Sequence, residues 1–288
     1  MSTKVIFVLL DGLRFDVAQS SMGYLGHLVE TAQASFYKVQ SELPSVSRPL
    51  YEVLMTGTPS SLNRITSNSI VRLSNQTHLF HLATQNGLTT AAVGFYFFSE
   101  LYNRSPFNRF TDREQHDPNL PIQHGKFYWD DAYPDSHVFA DAEVLRQNWH
   151  PDFMVVHPSG IDDIGHKFGG ESKEYRNKTI AMDDLLCQVL PVWMDAGYHI
   201  LVTADHGMNA DANHGGTSPD VREVPLFCIG NAFTPGTHLE GLSQLAITPM
   251  LCQLLSLPPG PNMQSIPVPG FREQSESLTV KEAHSLVS

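Results

Sequence analysis

Three aspartates and three histidines between residues 11 and 214 are the residue types that hold divalent cations: Asp11, Asp162, His166, Asp205, His206 and His214. Carboxylate oxygen and imidazole nitrogen both ligate Zn²⁺ well. Asp162 and His166 are four residues apart, which places them on one face of a helical turn. Asp205-His206 closes the apolar run 201–204 and is followed by Gly207. His214 lies in Asn213-His214-Gly215-Gly216, where the glycines permit a tight return toward the same point. Six such ligands suffice for two metal ions with positions left open for substrate. A set without thiolate suits Zn²⁺ first and Mn²⁺ next. Each residue has a plainer alternative. Asp11 and Asp205 could simply close turns, the histidines could be surface residues, and Asp163 competes with Asp162. His157 reads as a satisfied structural histidine.

The elements that must position these residues alternate between strand and helix. Residues 5–10 form a continuous apolar run, β-branched at Val5, Ile6 and Val8, as expected of a central parallel strand buried on both faces. Residues 16–33 read as a helix, and 34–39 as a strand. Residues 41–49, rich in Ser and Pro, read as a loop. Residues 50–55 read as a helix stopped by Thr56-Gly57. A helix starting just after Ser47 would direct backbone N–H groups at an anion beside that serine. Further expectations are a helix over 78–86, strands over 89–94, 152–156, 199–204 and 224–229, a loop over 157–165, and helices over 174–194 and 245–255. The last 18 residues are polar and read as peripheral. The alternation predicts an α/β fold with a mostly parallel central sheet and helices on both faces, in which ligands gather at the carboxyl ends of the strands. Residues 1–288 read as a single catalytic domain. The segment 95–140, aromatic-rich and without steady period, reads either as an excursion packed on the core or as a small cap or pocket wall.

Bulk properties narrow the partners. The 288 residues, 41% hydrophobic and 17% charged, are enough for a full core. A formal net charge of -12 repels nucleic-acid backbones and anionic membranes, so a nucleic-acid polymer is excluded as partner and no membrane is expected. A small anionic substrate is still admitted where metal ions reverse the sign locally. No apolar run reaches the length of a signal peptide core or a membrane span. Cys187, Cys228 and Cys252 read as reduced core thiols, and the expected compartment is the cytoplasm.

Taken in order, Val8-Leu9-Leu10-Asp11-Gly12-Leu13-Arg14, Pro44-Ser45-Val46-Ser47-Arg48-Pro49, Met55-Thr56-Gly57, Asp162-Asp163-Ile164-Gly165-His166 and Thr203-Ala204-Asp205-His206-Gly207-Met208 resemble the alkaline phosphatase superfamily, in particular its nucleotide pyrophosphatase/phosphodiesterase branch. The resemblance implies an alkaline phosphatase-like α/β/α sandwich and two zinc sites. One would use Asp11, Asp205 and His206, the other Asp162, His166 and His214. Ser47 would be the nucleophile, lying between the metals as a ligand, with Ser45 as competitor. Asn68 would bind a phosphoryl oxygen, with Asn63 as fallback. Arg48 and Tyr96 are the substrate-binding candidates, and Arg14 is a second candidate cation. Tyr96, Phe97, Phe98, Trp129 and Tyr133 are candidate wall residues. The sequence departs from the branch at His214, which follows His206 almost at once; that spacing is closer to the phosphoethanolamine transferases of the same superfamily.

The chemistry matches the resemblance. A serine hydroxyl is a poor nucleophile at neutral pH until coordination favours its alkoxide. Backbone N–H groups near Ser47 and the Asn68 amide would stabilise charge on phosphoryl oxygens. The expected function is therefore a di-zinc phosphodiesterase that acts on a small phosphodiester or nucleotide-type substrate through a phosphoseryl intermediate. The alternatives are a phosphomonoesterase, a phosphonate hydrolase, a phosphoethanolamine transferase, and a non-catalytic metal-binding protein. A sulfatase would need Arg four residues after the nucleophile, where this chain has Tyr51.

Overall fold

The structure, a computed structural model, describes residues 3–272. In chain order the elements are β1 (Lys4–Leu9), α1 (Phe15–Ser21), α2 (Gly23–Glu30), β2 (Ala34–Gln40), α3 (Ser47–Thr56), α4 (Ser60–Asn63), α5 (Leu79–Gln85), β3 (Thr90–Phe95), α6 (Phe97–Tyr102), β4 (Glu114–His116), β5 (His124–Tyr128), α7 (Asp135–Trp149), β6 (Phe153–Val156), α8 (Gly160–Phe168), α9 (Lys173–Asp195), β7 (Tyr198–Thr203), α10 (Pro219–Arg222), β8 (Glu223–Ile229), β9 (Gly236–Ser243) and α11 (Ile247–Leu254). The strands make one sheet in the order β4-β5-β3-β6-β1-β7-β8-β2-β9. The sheet is mostly parallel, with β4 and β8 running against their neighbours.

β1 lies at the centre, parallel to β6 on one side and β7 on the other. Residues 5–9 are wholly buried, as a strand covered on both faces requires. One helical group links α9 to α1, α2, α7 and α8; another links α11 to α3 and α5. β1, β2, β3, β5, β6 and β7 all run the same way. Their carboxyl ends therefore gather along one edge of the sheet, and Tyr96, Trp129, His157, Asp11 and Asp205 follow within two residues of those ends.

Several expectations are corrected by the structure. Residues 16–33 form two helices, broken at Met22 (φ -91, ψ 85). The break has a cause: the Asp183 carboxylate accepts hydrogen bonds from the Tyr24 and Leu25 N–H groups (2.6 and 3.2 Å), which caps a new helix start. The expected loop 157–165 is helical from Gly160, whose N–H donates to Asp135 (3.1 Å). β9 was not foreseen because it is an edge strand with mostly exposed side chains. Cys228 and Cys252 are buried, but Cys187 is exposed on α9 and is no core thiol. Residues 95–140 carry α6, β4, β5 and the start of α7, and β5 and β4 extend the central sheet beyond β3. The polar tail, apart from its first two residues, lies outside the described residues. Among those residues no helix is long and apolar enough to cross a membrane.

Glu52 ties α3 into this frame. It is fully buried, and its carboxyl accepts hydrogen bonds from the Ser74 hydroxyl (2.5 Å) and the Tyr102 hydroxyl (3.1 Å). Burial nonetheless pushes it from the ordinary 4.5 up to about 7. The folded state thus holds this proton more tightly than the unfolded chain does. Its stability is highest below pH 4.5 and falls as pH rises to about 7. Glu52→Gln is expected to remove that slope, and a denaturant series from pH 4.5 to 8 should show wild type losing about 3 kcal/mol more than the variant.

Candidate active site

Ser47 is the first residue of α3, and extended Val46 precedes it. Pro49 sits in the first turn, where a missing N–H costs the helix nothing. Position and φ are thereby set for a serine at a helix N-terminus. The Ser47 hydroxyl lies 3.3 Å from His206 Nε2. Its competitor Ser45 is buried and donates to the Val221 carbonyl (3.0 Å), so that hydroxyl is occupied.

Asp11 leaves β1 and Asp205 leaves β7, on adjacent strands. His206 Nε2 is 3.4 Å from Asp11 Oδ1 and 3.3 Å from Asp205 Oδ2. The Gly12 N–H donates to Asp205 Oδ1 (3.2 Å). Gly12 is needed as glycine on two counts: its φ is +74, and a Cβ there would lie 2.9 Å from the Asp162 side chain. Asp162 and His166 project from one face of α8, 3.4 Å apart. Asp163, the competitor, instead pairs with Lys167 at 2.6 Å. His214 Nε2 reaches to 4.0 Å from Asp162 Oδ1, and its ring stacks on His206 with centroids 3.8 Å apart.

The histidines share one orientation device. His166, His206 and His214 each direct Nδ1 at a backbone carbonyl: Ala212 at 3.0 Å, Gly207 at 2.9 Å and Ser45 at 2.8 Å. An N–H donated there fixes the tautomer and leaves each Nε2 lone pair facing the carboxylates, the usual support of a metal-bound imidazole. The carboxylates show the complementary deficit. Asp11 Oδ1, Asp162 Oδ1 and Asp205 Oδ2 are buried without a hydrogen-bond partner. Asp11, Asp205 and His206 form one close triad of ligand atoms, and Asp162, His206 and His214 form another. Oxygen and nitrogen donors with unsatisfied buried lone pairs fit divalent cations of the zinc class.

The electrostatics point the same way. Burial, with the charges of Asp11 and Asp162, pushes the Asp205 carboxyl far above its usual range. Burial and the Asp11 charge raise Asp162 as well. Burial also works to raise Asp11, but the hydrogen bond with His157 and the charges of His206 and His157 outweigh it and hold that carboxyl low. Burial lowers His206, and burial with the His206 charge takes His214 down to about 4. The lowering favours the neutral form of both rings, the form a ligand takes. The hydrogen bond with Asp162 lifts His166 to about 9, so a cation there would displace a proton.

The remaining candidates sort by contact. Asn68 is exposed, and its Oδ1 accepts the Arg48 N–H at 2.9 Å, which turns the amide group next to the start of α3. Asn63 is buried and holds its own loop through Thr58 and Ile65. The Arg48 side chain is 1% exposed; it pairs with Glu100 at 2.5 Å and lies 3.9 Å from the Phe97 ring centroid. Arg14 pairs with Asp16 and donates to the Met208 carbonyl. Tyr96 is half-buried among Phe95, Phe97 and Phe107, near Arg48. Phe97 and Phe98 are buried, whereas Trp129 is exposed, 6.5 Å from Phe107. Tyr133 stacks on Tyr128.

One contributor, Tyr51, has no role in the sequence-based expectations, whereas His157, expected as a satisfied structural histidine, is bonded as such. The Tyr51 hydroxyl donates to Asp11 Oδ2, and His157 Nε2 lies 3.2 Å from the same oxygen. Tyr51 follows Ser47 by four residues on α3, so the helical period was a usable signal. For Glu100, the partner of Arg48, nothing local in the sequence pointed to the pairing.

This fold and cluster define an α/β protein of the phosphoester-processing class. The chain belongs to the type I phosphodiesterase/nucleotide pyrophosphatase family, whose sequence profile matches residues 5–217. Among curated relatives, GPI ethanolamine phosphate transferase 2 of Candida albicans is 27% identical over 88% of this chain, and the human GPI ethanolamine phosphate transferase 3 catalytic subunit is 24% identical over 89%. The aligned parts are 30% and 24% of those proteins, so the chain spans less than a third of their length. Among solved structures, murine ectonucleotide pyrophosphatase/phosphodiesterase 5 superposes with a TM-score of 0.66 at 13% identity, covering 93% of this chain and 97% of that one. A 2-O GAG sulfatase superposes with a TM-score of 0.69 at 15% identity, covering 95% and 76%. These likenesses show a shared fold.

Tyr51→Phe removes a donor from Asp11 without changing shape. It is expected to weaken binding of Zn²⁺ by about tenfold, read by competition with a chromogenic chelator. An unchanged affinity would show that the hydroxyl does not tune the carboxylate.

Proposed function

We propose that the chain is a two-metal phosphodiester-cleaving module in which Ser47 is the nucleophile. The observation that carries this reading is the Ser47 hydroxyl at 3.3 Å from His206 Nε2, beside two Asp/His triads whose carboxylate oxygens lack partners. Asp11, Asp205 and His206 would hold one cation, and Asp162, His166 and His214 the other, with Zn²⁺ favoured over Mn²⁺ by the donor set. When bound, such ions favour the serine alkoxide and stabilise both the attacking and the leaving oxygen of an in-line displacement. Ser47 attacks phosphorus, the ester alcohol leaves, and a phosphoseryl intermediate forms. The N-terminus of α3 and the Asn68 amide stabilise charge on the phosphoryl oxygens. A second displacement then frees Ser47.

A diester is favoured over a monoester in this reading because both candidate arginines are committed to carboxylates: Arg48 to Glu100 through Nη2, its Nε and Nη1 buried without a partner, and Arg14 to Asp16. A dianionic monoester would gain no free arginine charge beyond that of the metal ions. Arg48 then acts through its main chain, which holds Asn68 in place.

A second reading is favoured by the relatives: the group transferred is ethanolamine phosphate, and an acceptor alcohol rather than water takes it from Ser47. The short interval between His206 and His214, noted above, fits this reading. In that case the substrate is a phosphoethanolamine diester, and a lipid head group can supply it.

Two assays test these readings. The zinc-loaded protein is expected to cleave bis-p-nitrophenyl phosphate faster than p-nitrophenyl phosphate. Ser47→Ala should lower diester turnover by about 10³-fold or more, and Asn68→Ala by about 10²-fold. Full activity in Ser47→Ala would remove the nucleophile assignment. With p-nitrophenyl phosphoethanolamine as donor, added glycerol should yield glycerol phosphoethanolamine if transfer is the native reaction, and free phosphoethanolamine alone if hydrolysis is.

A further inference from the structure

Far from Ser47, β4 and β5 bring two histidines face to face. β4 ends the sheet, and three strands, β5, β3 and β6, separate it from β1. His116 and His124 are direct cross-strand partners in the antiparallel β4–β5 ladder, and their Nδ1 atoms lie 3.3 Å apart. Two nitrogens bonded to one tetrahedral Zn²⁺ at about 2.05 Å are separated by about 3.3 Å. The spacing is thus that of a two-histidine chelate.

The surroundings prepare both rings. His116 Nε2 lies 3.1 Å from Glu114 Oε1, and a proton held there leaves Nδ1 as the lone-pair nitrogen directed at His124. The His124 ring is buried and stacks on the Trp149 indole, with centroids 3.9 Å apart and planes at 11°. Burial also takes His124 down to about 4, so it is neutral at neutral pH. The His116 side chain is 34% exposed, which opens the pair to solvent.

We propose that His116 and His124 form a separate binding site for a divalent ion of the zinc class, with water completing its coordination. On binding, the single proton between the two Nδ1 atoms moves to His124 Nε2, so both rings ligate through Nδ1 as neutral imidazoles. Glu114 orients His116 and balances charge. The ion clips the three-residue strand β4 to β5, at the outer end of the segment whose other end carries Tyr128 and Trp129.

The test uses Co²⁺, which adopts the tetrahedral geometry of zinc and quenches nearby indoles. The full-length chain is titrated and its tryptophan emission followed. The chain has three tryptophans, and only Trp149 stacks on either histidine of the pair. Wild type should show a saturable quenching phase that Trp149→Phe lacks. His116→Gln, at a partly exposed position, should shift that phase to a Co²⁺ concentration about tenfold higher or more. Circular dichroism checks that this variant folds. The proposal is overturned if His116→Gln quenches with the wild-type midpoint, or if wild type has no phase that Trp149→Phe removes. In the second case the pair is a plain imidazole–imidazole hydrogen bond.

Discussion

Mutual repulsion among Asp11, Asp162 and Asp205 is the constraint on which the rest of this structure depends. Three carboxylates converge at the ends of β1 and β7 and on α8, Asp11 and Asp205 buried and Asp162 largely so. Each leaves one oxygen without a partner. Such a cluster is unfavourable in a protein interior unless positive charge joins it. Three neutral-capable imidazoles converge on the same point, each braced from behind by a carbonyl. The local strain in charge is the clearest physical reason for the chemistry proposed for Ser47.

The fold supplies that convergence cheaply. Parallel strands deliver Asp11 and Asp205 side by side, each two residues beyond the last ladder position. Glycine at position 12 lets Asp162 approach the β1 turn, and Asp135 fixes where α8 begins. α3 starts at Ser47, and Tyr51 on its next turn reaches back to Asp11. Helix and strand are therefore connected through the carboxylate they both touch, so a shift in either one is felt at the other.

Much of this was legible in the sequence because it rests on local pattern. The apolar run 5–10 specified a buried strand, and the four-residue spacing of Asp162 and His166 specified a shared helical face. The ordered short motifs pointed to the type I phosphodiesterase/nucleotide pyrophosphatase family. What was not legible depends on contacts between distant segments. Asp183 breaks a helix more than 150 residues away, and no property of residues 16–33 reveals it. Glu100 pairs with Arg48 from another helix, a contact that neither segment reveals by itself. Residues 95–140 lacked a steady period because β4 and β5 are only three and five residues long, and β5 is covered along its whole length, so neither sustains a clear alternation.

His206 stands in both triads but has a single Nε2 lone pair. One imidazole nitrogen cannot serve two ions at once. Were two ions to bind as proposed, the one held with Asp11 and Asp205 would claim that nitrogen, and the other would rest on Asp162, His214 and His166, which is already 3.4 Å from Asp162. The two positions would then share a boundary at His206, so a change at that ring would be felt at both.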